Sequence, residues 1–185
     1  MKKLLALLMA ALIIFSFAGC KIIEEKQTVI EKTNSWTTTL YFGDSEGMKV
    51  IAEKREIKGN QADTESIKDM DVPGKAKLII EELIKGSAVP GRTTCIPSST
   101  NVKSVQQPAP EILVVDLSKE FETDHIGGST GINMTFAPLV LSLTELDGVE
   151  YVWFLIDSEP IQDFKGHMNL SNMLDRASYT SYISE

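Results

Sequence analysis

The chain is poor in the residues that carry most chemistry. Its 185 residues include two cysteines, Cys20 and Cys95, and two histidines, His125 and His167. No His-Glu-x-x-His run and no paired-cysteine spacing is present, and the two histidines fall in separate loops, so no metal site and no cofactor is expected. No glycine-rich loop ends in Gly-Lys-Ser/Thr, which excludes the usual phosphate loop, and no nucleophile-elbow motif frames a serine. Positive charge is also scarce: 18 Lys and Arg against 26 Asp and Glu give a formal charge of −8. That balance argues against a nucleic acid partner and against electrostatic adhesion to anionic lipid. There is no internal repeat and no low-complexity tract. The longest unbroken apolar run, Leu4 to Phe15, is too short to be read as a membrane-spanning helix.

That run has another reading. Lys2 and Lys3 precede it, and small residues, Ala18 and Gly19, lead from it directly into Cys20. Charge, apolar run and small residues in this order make an export signal. The ending in cysteine resembles the lipobox of bacterial lipoproteins. The resemblance implies cleavage before Cys20 and a diacylglycerol on its thiol; the alternative is an ordinary cysteine in an anchor helix or a plain signal. Loss of residues 1–19 from the 185 would leave 166, and loss of Lys2 and Lys3 would move the charge to −10. Two acyl chains anchor a protein stably without a basic patch. The expected place of work is the extracytoplasmic face of a bacterial cell membrane, with contact to the membrane through the lipid on Cys20. Cys95 would then have no intrachain partner, and beside Ile96 and Pro97 it reads as a small, mostly buried apolar residue.

Four segments follow: a signal peptide over 1–19, a lipidated N-terminus and tether over 20–35, one domain over 36–171, and a C-terminal tail over 172–185. The domain opens with a hairpin, WTTTLYFGDSEGMKVIAEKREI, whose turn is GDSEG and whose second-strand register stays open. DVPGKAKLIIEELIKG is the clearest helix. Asp71 is its N-cap, Pro73 falls in its first turn and Gly86 is its C-cap; Ala76, Ile79, Ile80, Leu83 and Ile84 make one apolar stripe. VKSVQQ and ILVVDLS read as a strand pair. A second helix carries Ile132, Phe136, Leu139, Val140 and Leu143 and ends at Asp147-Gly148. Pro138 inside it predicts a kink or a late start. VEYVWFLID reads as a strand central in the sheet or covered on both faces, and IQDF as a final edge strand. The expected fold is α+β, a single domain with a mixed or antiparallel sheet and two helices packed on one face, in the order β-β-α-β-β-α-β-β.

The glycine-rich stretch DHIGGSTG, Asp124 to Gly131, is the candidate partner or ligand loop. Gly127, Gly128 and Ser129 open the second helix, and free backbone N–H groups there can bind an anion. The plainer reading gives Gly127 and Gly128 positive φ, makes Ser129 the helix cap and leaves His125 exposed. A hydrolase triad of Ser129, His125 and Asp116 or Asp124 has the residue types but no motif behind it.

Taken together, LYFGDSEG, EKREI, KLIIEELIKG, CIPSSTNVKSV, VVDLSKEF, GGS, LSLTELDGVEYVWFLIDSEP and FKGHMNL run in an order that resembles the GerMN domain of sporulation and germination lipoproteins, over roughly Leu40 to Leu170. The resemblance implies a fold similar to the ring-building modules of envelope machines and no known catalytic activity. It also implies work as an assembly or stabilising partner of an envelope complex. The chain departs from the pattern at Gly86-Ser87, where Gly-Pro is common, at Asp157-Ser158, where Asp-Gly is common, and at Pro138. The expected function is therefore non-enzymatic binding of an envelope protein of unknown identity, with pairing at a sheet edge over Ile161 to Phe164 as one mode. The alternative is a module for carbohydrate or peptidoglycan, with cell-wall glycan as its partner.

Overall fold

The nine residues SWTTTLYFG, rich in threonine and aromatics, form strand β1 (Ser35–Gly43), and VIAEKREIK forms β2 (Val50–Lys58) beside it. A computed structural model describes residues 34–59 and 66–184; the expected signal peptide, Cys20 and the tether up to residue 33 lie outside the described residues. The two strands pair antiparallel with Gly43 opposite Val50 and Leu40 opposite Glu53, which settles the open register. Asp44 holds the turn: its amide donates to the Lys49 carbonyl at 2.8 Å and its carboxylate accepts the Met48 amide at 2.9 Å. From Ile51 to Lys58 the side chains alternate inward and outward, one face of the ribbon being buried.

Helix α1 (Val72–Lys85) forms as its sequence signals require. Asp71 accepts the Gly74 amide at 2.8 Å, and Gly86 ends the helix at φ 83 while its amide reaches the Glu82 and Leu83 carbonyls. Ala76, Ile79, Ile80 and Leu83 are buried and Ile84 half-buried. An ion network ties the end of this helix to β2. Arg55 donates to Glu53 Oε1 at 2.6 and 3.0 Å, to Glu82 Oε2 at 3.0 Å and to the Gly86 carbonyl at 3.3 Å. Glu53 Oε2 in turn accepts Ser87 Oγ and Arg92 Nη1, each at 2.6 Å. These charges are largely screened from water and satisfied by one another.

Strands β3 (Val102–Ala109) and β4 (Ile112–Leu117) pair antiparallel, with Pro108 at a register irregularity in the edge strand where a missing N–H costs least. A single turn, α2 (Glu120–Thr123), leads to helix α3 (Ser129–Leu143). Strand β5 (Tyr151–Ile156) then returns parallel to β4. Three two-residue pieces follow: β6 (Glu159–Pro160) on β5, and β7 (Asp163–Phe164) paired with β8 (Met168–Asn169) in a hairpin of its own. Strand β9 (Leu174–Asp175) pairs with β5, so the main sheet is mixed, runs β3-β4-β5-β6 with β9 also on β5, and has β5 in its interior. A 3-10 helix, Ala177–Tyr182, ends the described chain.

The α+β reading with helices on one sheet face is the observed one. Val105, Leu113, Val115, Leu117, Val152 and Phe154 point into one core with the apolar sides of α1 and α3. Around Phe136 the rings of Phe121, Phe154 and Phe164 meet edge-on, centroids 5.3 to 5.7 Å apart. The other face of β5 is not covered to the same degree: Tyr151 is exposed and Trp153 and Leu155 are half-buried. Pro138 neither delays α3 nor stops it docking, since the helix starts nine residues earlier and every residue from Met134 to Leu143 is buried. The helix stops at Leu143 rather than at Asp147-Gly148: past Thr144 the chain tightens, the Glu145 and Leu146 amides donating to the Ser142 and Leu143 carbonyls three residues back, at 3.3 and 3.2 Å.

The segment expected as a tail is part of the domain. Besides β9, it brings Arg176 to the C-terminus of α3, where the guanidinium donates to the Leu141 carbonyl at 2.9 Å, to Tyr41 Oη at 2.8 Å and pairs with Glu145 at 2.8 Å. Farther on, Ser184 N–H donates to the Val50 carbonyl at 2.8 Å, fastening the chain's end to β2.

Two outcomes test this packing. Burial pushes the Glu53 and Glu82 carboxyls up. The bonds from Ser87, Arg55 and Arg92 to Glu53, and from Lys85 and Arg55 to Glu82, outweigh burial and hold both below the ordinary carboxylate range. Stability from such groups is present above their unfolded pKa of about 4.3 and is lost as the pH falls through the lower folded values. The melting temperature should therefore fall as the pH drops below about 4.3, and Glu53→Gln should lower it at pH 7 while flattening the acid limb; an acid limb identical to wild type would contradict the network. Ile80→Asp buries an unpaired carboxylate and should abolish cooperative unfolding monitored by circular dichroism at pH 7. A soluble, cooperatively melting variant would show that the α1 face is misassigned.

Candidate functional site

The glycine loop is a built turn held from below by a histidine. Gly127 and Gly128 have φ of 77 and 78, the left-handed region that glycine enters without a Cβ penalty. Gly128 is the N-cap of α3, and no side chain caps it; Ser129, expected in that role, is the exposed first residue of the helix. His125 is buried, not exposed as expected. Its Nδ1 accepts the Gly127 amide at 2.8 Å, which leaves the proton on Nε2, and Nε2 donates to Thr135 Oγ1 at 2.8 Å. The Thr135 hydroxyl passes its own proton to the Gly131 carbonyl at 2.9 Å. Burial, and then the nearby Lys165 ammonium, push the imidazole below its ordinary pKa, so it sits neutral at pH 7. The His125 ring rests edge-on against Phe164, and its carbonyl accepts Lys165 Nζ at 2.7 Å. Between this anchor and the glycines, Ile126 stands 85% exposed.

This geometry dismantles the imagined triad. Both ring nitrogens of His125 are committed to partners other than Ser129. Asp124 accepts from Ser99 Oγ at 2.6 Å and Thr123 Oγ1 at 2.9 Å. Asp116 has a structural task. Asp157 and Ser158 make the β5–β6 turn with φ of 49 and 69, where the resemblance leads one to expect a glycine. Asp116 accepts both the amide and the hydroxyl of Ser158 at 2.9 Å, and Lys103 pairs with Asp157 at 2.9 Å, which offsets the strain of side chains in the left-handed region. Among the described residues no group of three or more His, Cys, Asp or Glu side chains could hold a metal ion. Cys95 is half-buried and unpaired, and burial pushes its thiol above the ordinary range.

The expected edge at Ile161 to Phe164 is paired along one side, in a two-stranded ribbon. Asp163 and Phe164 are paired with Asn169 and Met168, and the Gln162 carbonyl accepts the Leu170 amide at 3.0 Å. The short apolar-polar run IQDF gave the strand but not its neighbour, which comes from the hairpin turn at Lys165-Gly166.

A longer strand with a bare edge is β1, also in a two-stranded ribbon. In an antiparallel pair each residue's N–H and C=O point to one side, and the side alternates along the strand. Gly43 turns away from β2 and exchanges both its backbone bonds with Thr93, at 2.8 and 2.9 Å. Two residues back, the Tyr41 amide also turns away and donates to the Ser142 hydroxyl of α3 at 2.9 Å. Thr39 and Thr37 follow the same alternation, and their outward N–H and C=O groups have no partner among the described residues. They form a wall of a groove of about 370 Å³ lined also by Trp36, Lys75, Glu145 and Asp147. No sequence pattern marked it: three consecutive threonines look like any strand until the far side of the strand is known.

The two lips of this groove differ in charge. Lys75 Nζ lies 5.8 Å from the centre of the Trp36 ring, whose side chain shares a face of β1 with Thr38. Glu145 bonds Tyr41 Oη at 3.1 Å, and Tyr41 shares the opposite face with Thr37 and Thr39. Asp147, near Glu145, is exposed and has no hydrogen-bond or ionic partner among the described residues.

Comparisons with known proteins agree on the fold. The sequence model of the Germane family, described as sporulation and spore germination, matches residues 39–162. The first GerMN domain of the sporulation protein GerM from Bacillus subtilis superposes with a TM-score of 0.60 at 19% identity, over 77% of this chain and 98% of that one. The tandem GerMN domains of the same protein give 0.61 at 18% identity over 77% of this chain, which spans about half (47%) of the tandem structure. A protein of Clostridium perfringens described as a lipoprotein gives 0.52 at 18% identity, over 81% and 93% of the two chains. No curated protein matches. Among the described residues no helix is long and apolar enough to cross a membrane. With more than half of the sequence covered by the family model, and with the expected α+β arrangement in place, the chain belongs to the Germane family of sporulation and spore germination proteins.

Proposed function

We propose that this protein is held by a lipid on Cys20 at the outer face of a bacterial cell membrane, where its domain binds another protein without catalysing a reaction. The role is that of an adaptor or stabiliser in an envelope assembly of the sporulation or germination kind. The observation that carries this reading is the edge of β1, where the outward backbone of Thr37 and Thr39 lines a groove and has no partner among the described residues. Natural sheets cover or blunt such edges, and this domain does so at Tyr41 and Gly43, whereas nothing among the described residues covers Thr37 and Thr39. The lipobox-like ending at Cys20 supports the location.

One observation favours the glycan reading as a second choice. Tyr151, exposed, and Trp153, half-buried, stand two residues apart on the outer face of β5, where aromatic side chains offer an apolar surface to a sugar ring.

The two readings separate on the full-length protein, tagged at its C-terminus and isolated from membranes after crosslinking in cells. A discrete protein adduct that disappears in a Cys20→Ala strain is the expected result. Adducts to cell-wall glycan, or none in either strain, would overturn the protein-binding reading.

A further inference from the structure

We infer that the β1 groove accepts one extended strand of the partner protein, whose side chains alternate between basic residues on one face and acidic or apolar residues on the other. The inference rests on the protein-binding reading above and adds the site, the backbone conformation and the side-chain pattern of what binds.

The backbone conformation follows from the edge. Thr37 and Thr39 each offer one N–H and one C=O directed away from β2, spaced as a β ladder requires, and a strand laid beside them would satisfy all four groups. The length is bounded. Beyond Thr39 the edge is taken by Ser142 at Tyr41 and by Thr93 at Gly43, so α3 and the 93 loop end the site on that side. The partner therefore contributes a short ladder, and specificity has to come from side chains.

The side-chain pattern follows from the lips. Neighbouring residues of an added strand point alternately to the two faces of β1. On the face that carries Trp36 and Thr38, the strand meets the Lys75 ammonium and the indole ring, which favour an acidic or an apolar side chain. Across the strand, on the face that carries Thr37 and Thr39, it meets Asp147, which has no partner among the described residues, and Glu145 shared with Arg176, and these favour a lysine or arginine. A strand slipped by one residue would present each charge to its like, so the pattern also fixes the register.

The test uses the full-length chain in cells, with a photo-crosslinking residue placed in turn at Thr37, at Ile126 and at Gln106, and the adducted partner segment mapped by mass spectrometry. The expected result is an adduct from Thr37 to a segment with the alternating pattern. It should fall at least tenfold in Thr39→Pro, which removes an outward N–H and leaves the β1–β2 ladder whole, and in Asp147→Lys; reversal of the facing basic residue in the partner should restore it in Asp147→Lys. Melting by circular dichroism checks that both variants fold; if the proline variant does not, Asp147→Lys and its charge-swapped rescue decide. An undiminished adduct in a folded Thr39→Pro or Asp147→Lys protein would overturn the inference. Adducts from Ile126 or Gln106 only would overturn it while leaving the protein-binding reading standing; adducts from none of the three positions would remove both.

Discussion

Helix α3 is buried on every side, and the rest of the fold is arranged to enclose it. From Met134 to Leu143 none of its residues reaches solvent, so it cannot be a surface helix with one apolar stripe. The sheet covers it through Val152 and Phe154, α1 lies beside it, the β1–β2 ribbon is joined to it at Ser142, and the C-terminal segment closes its end through Arg176. Burying ten consecutive residues is possible because the polar ones are satisfied internally: Ser142 accepts the Tyr41 amide, and Thr135 is bonded to both His125 and Gly131. Each polar bond made by this helix thus positions a neighbouring element. Ser142 fixes where β1 runs, and Thr135 fixes the histidine that holds the glycine loop.

The open edge is a by-product of the same constraint. The ribbon must lie against α3 to cover it, and the helix reaches only as far along β1 as Tyr41. Past the end of the helix the 145–147 segment leads toward β5, and among the described residues Thr37 and Thr39 face a groove instead of a partner. An edge that arises from the path of a core helix keeps a fixed shape, unlike one on a loose terminal hairpin. Fixed donors and acceptors also spare a bound strand part of the ordering cost that two mobile segments would share.

Features set by local chemistry were legible in the sequence. Asp71, Pro73, the Ala76 to Ile84 stripe and Gly86 predicted α1 nearly to the residue because caps and period are written within sixteen positions. The strand pair β3–β4 and the positive φ of Gly127 and Gly128 were legible for the same reason. Features set by distant contacts were not. Ser129 looked like a cap, but the backbone turns into the helix one residue earlier, at Gly128. His125 looked like a loop residue because two glycines follow it, whereas its burial depends on Thr135 and Phe164, ten and thirty-nine positions away. The last fourteen residues, 172–185, read as a tail because nothing local shows that Arg176 meets the end of α3. The β1 edge escaped notice for a similar reason: which part of a strand's edge is covered is decided by Thr93 and Ser142, far along the chain.

The claim that β1 presents backbone without a partner among the described residues at Thr37 and Thr39, while Thr38, Leu40 and Tyr41 are held, can be measured amide by amide. Hydrogen exchange of the full-length protein, read by NMR at neutral pH, should show fast exchange at Thr37 and Thr39. Thr38 and Leu40, which face β2, and Tyr41, which donates to Ser142, should be strongly protected. Protection of Thr37 and Thr39 equal to that of Thr38 would mean that the edge is already occupied, and the account of this domain as an acceptor for a partner strand would fail.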